Sequence, residues 1–300
     1  MPCYHPVMAG RSLAGRNPRT GLWPVVFNVA NGVPGKELII PCGKCLGCIE
    51  ARARNWAIRC VHESKCWENN CFITLTYNDE NIHKNYSLDK RDFVLFMKKL
   101  RRKYGNGIRF FHCGEYGENF HRPHHHACLF NHKFGDAVLW SVRGNVNIFT
   151  SKELSELWGY GYVTVGEVTY ESAAYVARYV AKKMYGASGD IHYGDRTPEY
   201  CSMSLRPGIG MYWFMRYGKS DVYVDDTVLF KGKKFRPPRY YDSIYDRIEP
   251  DRMLICKSDR IINLNPAEHT YRRLLDKEEI KTIAYKKLIR NYETGSGVIK

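Results

Sequence analysis

Residues 107–130 read GIRFFHCGEYGENFHRPHHHACLF, and two β-like runs separate within them, 107–116 and 124–130, joined by a turn that holds Gly117 and Pro123. Working outward, Cys71–Tyr77 (CFITLTY) is β-branched and aromatic, the composition of a buried strand. Between it and the hairpin, Leu88–Tyr104 places apolar residues at 93, 94, 96, 97 and 100, a helical spacing, with Ser87 or Asp89 as cap. Downstream, Thr150-Ser-Lys-Glu153 matches a capping box that opens a short helix to Trp158. Residues 161–168 then read as a strand and 171–185 as a helix. In order, residues 71–168 give β-α-β-β-α-β. The predicted fold is α+β, a split ferredoxin-like (RRM-like) core with a four-stranded antiparallel sheet. Helices lie on one face of such a sheet, and the other is expected to be free for a site.

Around that core the chain divides into three expected regions. Residues 1–70 form an N-terminal segment that is Gly-, Pro- and Asn-rich and irregular to about 41, with one short strand near Trp23–Asn28. It continues through a cysteine run into a basic helical stretch over 49–67. Residues 71–205 hold the core. Residues 206–300 form a basic subdomain with dense aromatics (Tyr212, Trp213, Phe214, Tyr217, Tyr223), a basic turn at 231–239 and a charged helix over 266–292.

The 300 residues carry 46 Lys and Arg against 31 Asp and Glu, a net charge of +15, which attracts polyanions. Nucleic acid leads as partner and an anionic membrane surface comes second. The hydrophobic content of 44% excludes a disordered chain. No window approaches the roughly 18 apolar residues that span a bilayer, and the opening Met-Pro-Cys-Tyr-His-Pro has no export-signal pattern. Eleven cysteines, odd in number and partly clustered, point to reduced thiols and metal rather than to a disulfide framework.

Histidines 112, 121, 124, 125, 126 and 132 are six of the eleven in the chain. Alternation along a strand gives His124 and His126 one face, shared with Cys128 and Phe130, and sends His125 to the other. A ladder that sets residue 115 opposite 124 adds Glu115 to that face. A carboxylate with two imidazoles suits Mn²⁺ or Mg²⁺ where the partner is phosphate, and Zn²⁺ stays open. Three histidines beside a Pro-bearing turn also arise as a surface accident.

On a helical wheel Ala173, Val176, Ala177, Val180, Ala181 and Met184 form an apolar stripe, with Tyr175, Arg178, Tyr179, Lys182 and Lys183 opposite. Two phenols one turn apart amid cations are candidate nucleophiles, although Tyr-x-x-x-Tyr is also common packing. Cys42, Cys45 and Cys48 have a spacing that wraps one tetrahedral ion and needs a fourth ligand. Cys60 lies about 18 Å along the helix axis from Cys48 and is unsuited. Cys3 or His5 is better placed. Structural Zn²⁺ leads here, with an iron–sulfur cluster and unligated thiols as the alternatives.

A strand with paired histidines followed by a helix with paired tyrosines resembles the HUH endonucleases, and among them the rolling-circle replication initiators. Residues 72–77 (FITLTY) are similar to the first motif, 122–130 (RPHHHACLF) to the metal-binding motif, and 174–182 (AYVARYVAK) to the two-tyrosine motif. With 41–48 (PCGKCLGC), 113–117 (CGEYG) and 206–210 (RPGIG), the chain resembles the replication initiators of gokushovirus-like microviruses. One departure is His125, where the family usually has an apolar or aromatic residue. The resemblance implies that Tyr175 or Tyr179 attacks a phosphodiester of single-stranded origin DNA. A 5′-phosphotyrosyl link forms, the free 3′-OH primes synthesis, and the second tyrosine acts when the circle is resealed. It also implies phosphate binding or leaving-group protonation by Lys182 or Lys183, DNA contacts by Arg122 and Arg178, host helicase and polymerase as partners, no membrane, and action in the cytoplasm of a bacterial host. Two other readings stay open: an HUH transposase or relaxase, and a non-catalytic RRM-like nucleic-acid-binding protein, which calls for exposed aromatics on the sheet.

Overall fold

The computed structural model describes residues 3–19, 21–117, 120–182, 187–230 and 232–286; of these, the side chains of 29, 179–182 and 187–188 are not described. The chain forms two compact units, one from residues 1–51 with 263–288 and one from residues 52–262.

The first unit opens with strands β1 (Val7–Ser12), β2 (Val25–Val26) and β3 (Gly32–Ile40), which pair antiparallel in the order β2-β1-β3. The segment up to residue 41, expected to be irregular with one short strand near Trp23–Asn28, therefore carries a three-stranded sheet, of which β2 lies within that expected strand. Met8, Val25, Phe27 and Ile39 are exposed, so no alternation of burial marks these strands in the sequence. Helix α1 (Leu46–Ser64) leads from this unit into the second.

There, β4 (Asn70–Thr76), α2 (Lys90–Tyr104), β5 (Arg109–Tyr116) and β6 (Pro123–Phe130) follow in the expected order. A hairpin not foreseen comes next, β7 (Val138–Arg143) and β8 (Val146–Thr150), before α3 (Lys152–Trp158) and β9 (Val163–Gly166). Helices α4 (Tyr170–Lys182) and α5 (Ala187–Tyr193) lead to β10 (Tyr200–Met203). The sheet is a seven-stranded antiparallel one in the order β10-β5-β6-β4-β9-β8-β7. The rest of this unit is α6 (Met211–Asp221), the hairpin β11 (Val228–Phe230) and β12 (Lys233–Phe235), α7 (Arg239–Ile248) and α8 (Pro250–Ile262); α9 (Tyr271–Lys286) belongs to the first unit. Of the helix expected over 266–292, residues 287–292 lie outside the described residues.

The caps settle two local choices. Asp89, not Ser87, caps α2 by accepting from the Arg91 amide at 2.7 Å. Ser151 caps α3 by accepting from the Leu154 amide at 3.0 Å, one residue later than the expected box.

Cores lie on both faces of the large sheet. On one, Ile73, Leu75, Ala127 and Leu129 pack with Phe93, Phe96 and Leu100 of α2 and Leu154 and Trp158 of α3. On the other, Phe72, Phe111, Cys128 and Phe130 pack with Ala53, Ala57 and Cys60 of α1 and Ala173, Val176 and Ala177 of α4. The second face is thus covered, which corrects the expectation of an open one. Alanines on α1 and α4 let both helices come close to the strands, and Trp56 stacks on Phe111 with ring centroids 4.6 Å apart.

A third cluster joins Ile58 to Trp213, Phe214, Tyr241, Ile244, Tyr245 and Met253 of α6, α7 and α8. It meets the α1 side of the sheet through buried Glu63, which accepts from Arg109 Nε at 2.5 Å and from the Gly210 amide at 2.6 Å. Gly210 has φ +82°, and a Cβ there would meet the Tyr241 hydroxyl at 2.5 Å, so this turn requires glycine.

Candidate active site

The β5–β6 ladder pairs Glu115 with His124 and Cys113 with His126, the register the alternation argument requires. Glu115, His124 and His126 therefore project from one face, all three buried, with their ligand atoms within 4.8 Å of one another. His124 Nε2 lies 2.6 Å and His126 Nε2 3.0 Å from Glu115 Oε1. His124 Nδ1 donates to the Arg122 carbonyl at 3.1 Å, which orients the ring with Nε2 toward the cluster. His126 Nδ1 is 2.9 Å from the Thr74 hydroxyl on β4.

Tyr175 enters from α4. It is buried, its ring meets His126 edge-on at 5.0 Å, and its hydroxyl donates to Glu115 Oε1 at 3.1 Å. The wheel had set Tyr175 opposite the apolar stripe. In the fold, the buried arc of α4 is broad enough to include Ser172 and Tyr175 as well as Ala173, Val176 and Ala177. Tyr179 lies one helical turn on in α4; its side chain, that of Lys182, and the whole of Lys183 lie outside the described residues. Arg178 sits on α4 with a buried Nε that has no hydrogen-bond partner among the described residues. Arg122 is engaged within the protein, with Asp79 at 2.7 Å and the Tyr77 carbonyl at 3.0 Å.

Burial works to raise the Glu115 carboxyl, but His124 and His126 outweigh it and hold the group below the usual carboxylate range. Burial lowers His126, with Glu115 opposing. Glu115 Oε2 and His126 Nε2 are buried without a hydrogen-bond partner among the described residues, although His126 Nε2 lies 3.0 Å from Glu115 Oε1. An orphaned carboxylate oxygen beside two imidazoles fits the donor set of a divalent ion.

His125 points to the other face, as expected, into a buried polar chain that the sequence reading missed. Its Nε2 is 2.9 Å from the Tyr77 hydroxyl and its Nδ1 3.1 Å from His112 Nε2. Tyr77 in turn donates to Asp92 at 2.6 Å, and His112 Nδ1 lies 2.9 Å from the Ser202 hydroxyl. The available signal was Asp92 itself, an acidic residue one turn before Phe96 on the apolar side of α2. Burial drives His125 down to about 3, aided by His124 and His126.

In the first unit Cys3, Cys42, Cys45 and Cys48 also converge, their sulfurs within 4.8 Å of one another. Cys3 takes the fourth place, and His5 instead pairs with Glu278 at 2.7 Å. Burial works to raise the Cys42 thiol, yet the amides of Lys44 and Cys45 bring it down to about 7, whereas burial pushes the Cys48 thiol up. Cys60 is buried in the sheet core, apart from this group.

A carboxylate–bis-histidine cluster on an antiparallel sheet, met by a helix-borne tyrosine, defines a class, and residues 70–184 match the family model of the replication-associated protein ORF2/G2P. The chain is 34% identical over 266 residues to the replication-associated protein VP4 of Bdellovibrio phage phiMH2K, covering 85% of this chain and 80% of that protein. It is 37% identical over 224 residues to the replication-associated protein ORF2 of Spiroplasma virus 4, covering 69% and 68%. To the replication-associated protein ORF4 of Chlamydia phage 1 it is 30% identical over 223 residues, covering 70% and 54%. The chain belongs to the replication-associated proteins of microviruses. No solved structure matches it, and among the described residues no helix is long and apolar enough to cross a membrane.

Proposed function

We propose that the chain initiates rolling-circle replication by nicking single-stranded origin DNA with a tyrosine and later rejoining the circle. The observation that carries this reading is the Tyr175 hydroxyl at 3.1 Å from Glu115, inside the group formed with His124 and His126. That hydrogen bond holds the phenol oxygen at the cluster and gives its proton an acceptor. The phenol oxygen bonds to phosphorus as the bond from phosphorus to the 3′-oxygen breaks. The products are a 5′-phosphotyrosyl link and a 3′-OH that primes synthesis. Lys182 or Lys183 returns a proton to the leaving oxygen or binds phosphate, and Arg178 and Arg122 contact the strand. Tyr179, one turn along α4, serves the second transfer. Glu115, His124 and His126 would hold Mn²⁺ or Mg²⁺, which supplies charge stabilisation at the scissile phosphate when bound.

The strand order β5-β6-β4-β9, with α2 and α3 on one face, favours a split ferredoxin-like core within the larger sheet. Burial of the opposite face under α1 and α4 counts against an RRM-like binder, which needs an exposed aromatic platform. The relatives' names favour replication over transposition or plasmid transfer. We assign the nuclease activity to residues 71–205. The host helicase and polymerase are the partners, in the cytoplasm of a bacterial host. Incubation with labelled origin strands and Mn²⁺ or Mg²⁺ tests the reading on a denaturing gel. A covalent adduct is expected with the natural chain and none with Tyr175→Phe, Tyr179→Phe. An adduct that persists in the double variant overturns it.

A further inference from the structure

We infer that Cys3, Cys42, Cys45 and Cys48 bind one Zn²⁺ as a tetrathiolate, and that this ion, rather than a hydrophobic core, folds the unit built from residues 1–51 and 263–288. The inference stands apart from the nicking reading.

The sulfur geometry is that of one ion. Cys42 and Cys48 sulfurs are 4.0 Å apart and those of Cys45 and Cys3 are 3.9 Å apart. A regular tetrahedron with Zn–S bonds of about 2.3 Å has sulfur–sulfur edges of about 3.8 Å. A disulfide brings two sulfurs to about 2.05 Å, which no pair here approaches. In a polynuclear iron–sulfur cluster at least two of the four thiolates sit on different irons, which holds those sulfurs further apart than the 4.8 Å within which all four lie here.

The backbone is arranged for thiolates. Amides of Cys42, Cys45 and Tyr4 donate to the sulfurs of Cys3, Cys42 and Cys45 at 3.2, 3.3 and 3.4 Å. Amide donors aimed at sulfur stabilise negative charge there, which four neutral thiols would not call for.

The unit has little apolar core. Among the described residues, its buried apolar side chains are Tyr4, Ala9, Cys45 and Leu274, and none of the chain's hydrophobic clusters draws on it. Cys3 precedes β1 and Cys42 follows β3, so one ion ties together the two ends of the three-stranded sheet. A small sheet that buries so little requires such a staple.

The test uses the full chain. Metal analysis should find one zinc per chain that is absent from Cys42→Ser, Cys45→Ser, and cobalt substitution should give a thiolate-to-cobalt charge-transfer band. Because loss of the ion is expected to unfold this unit in the double variant, hydrogen exchange on the natural chain before and after chelation is the second arm. Stripping zinc should abolish protection over 7–40 and leave that over 70–176 in place. Zinc content unchanged in the variant, iron in place of zinc, cobalt without a thiolate band, or protection over 7–40 that survives stripping would each overturn the inference.

Discussion

Oε1 of Glu115 receives the Tyr175 hydroxyl and sits against both imidazoles, while Oε2 is buried with no hydrogen-bond partner among the described residues. Converting that oxygen to an amide in Glu115→Gln keeps the shape and removes the charge. Mn²⁺ affinity, read by calorimetry, should fall by at least about 10- to 100-fold; an unchanged affinity would place the metal elsewhere. The identities of Glu115, His124 and His126 were legible because strand alternation is rigid and the β5–β6 ladder fixes which residues face each other. Tyr175 was legible as a candidate but not as a buried one, since a wheel assigns faces by polarity and a phenol has both characters. The chain through His125, Tyr77 and Asp92 was not legible, because it depends on α2 meeting β6 in space. Tyr77→Phe leaves Asp92 and His125 each short of one partner, and chemical denaturation should register a loss of about 1–3 kcal/mol.

At the scale of elements, α1 decides where the second face of the sheet closes. Its Glu63 is buried and compensates Arg109 of β5 while holding the amide of Gly210. Glu63→Ala strands the buried guanidinium and should cost about 3–5 kcal/mol, seen as a lowered urea midpoint; a loss under 1 kcal/mol would mean that water compensates Arg109. The order of elements from β4 to β9 could be read because their apolar periods are strong. The hairpin β7–β8 escaped because Val138, Leu139, Trp140 and Val142 are exposed, so its apolar residues do not alternate with polar ones. Residues 143–145, Arg-Gly-Asn, were the turn signal, and Gly144 has φ +57°. Strand β2 lies within the short strand expected near Trp23–Asn28, whereas β1 and β3 escaped because Met8 and Ile39 are exposed and no alternation of burial marks them.

For the whole molecule, the surplus of +15 predicts that affinity for single-stranded DNA falls steeply and linearly on a logarithmic salt axis. Acid should also weaken the fold. Burial holds His62, assisted by Lys65, and His125 down to about 3 from an ordinary 6.5, so the native state keeps both neutral while the unfolded chain takes up protons. Each therefore withdraws stability as pH falls below 6.5, by up to about 1.4 kcal/mol per pH unit, until about pH 3. The melting temperature should drop between pH 7 and pH 5; a flat profile would contradict the buried neutral imidazoles. The most direct test of the nicking account is to digest the adduct formed on origin DNA and find the nucleotide-bearing peptide by mass spectrometry. The account predicts a phosphotyrosyl link within 170–182, on Tyr175 or Tyr179, that forms only with divalent metal. A link on any other residue, or one formed equally well in chelator, would contradict it.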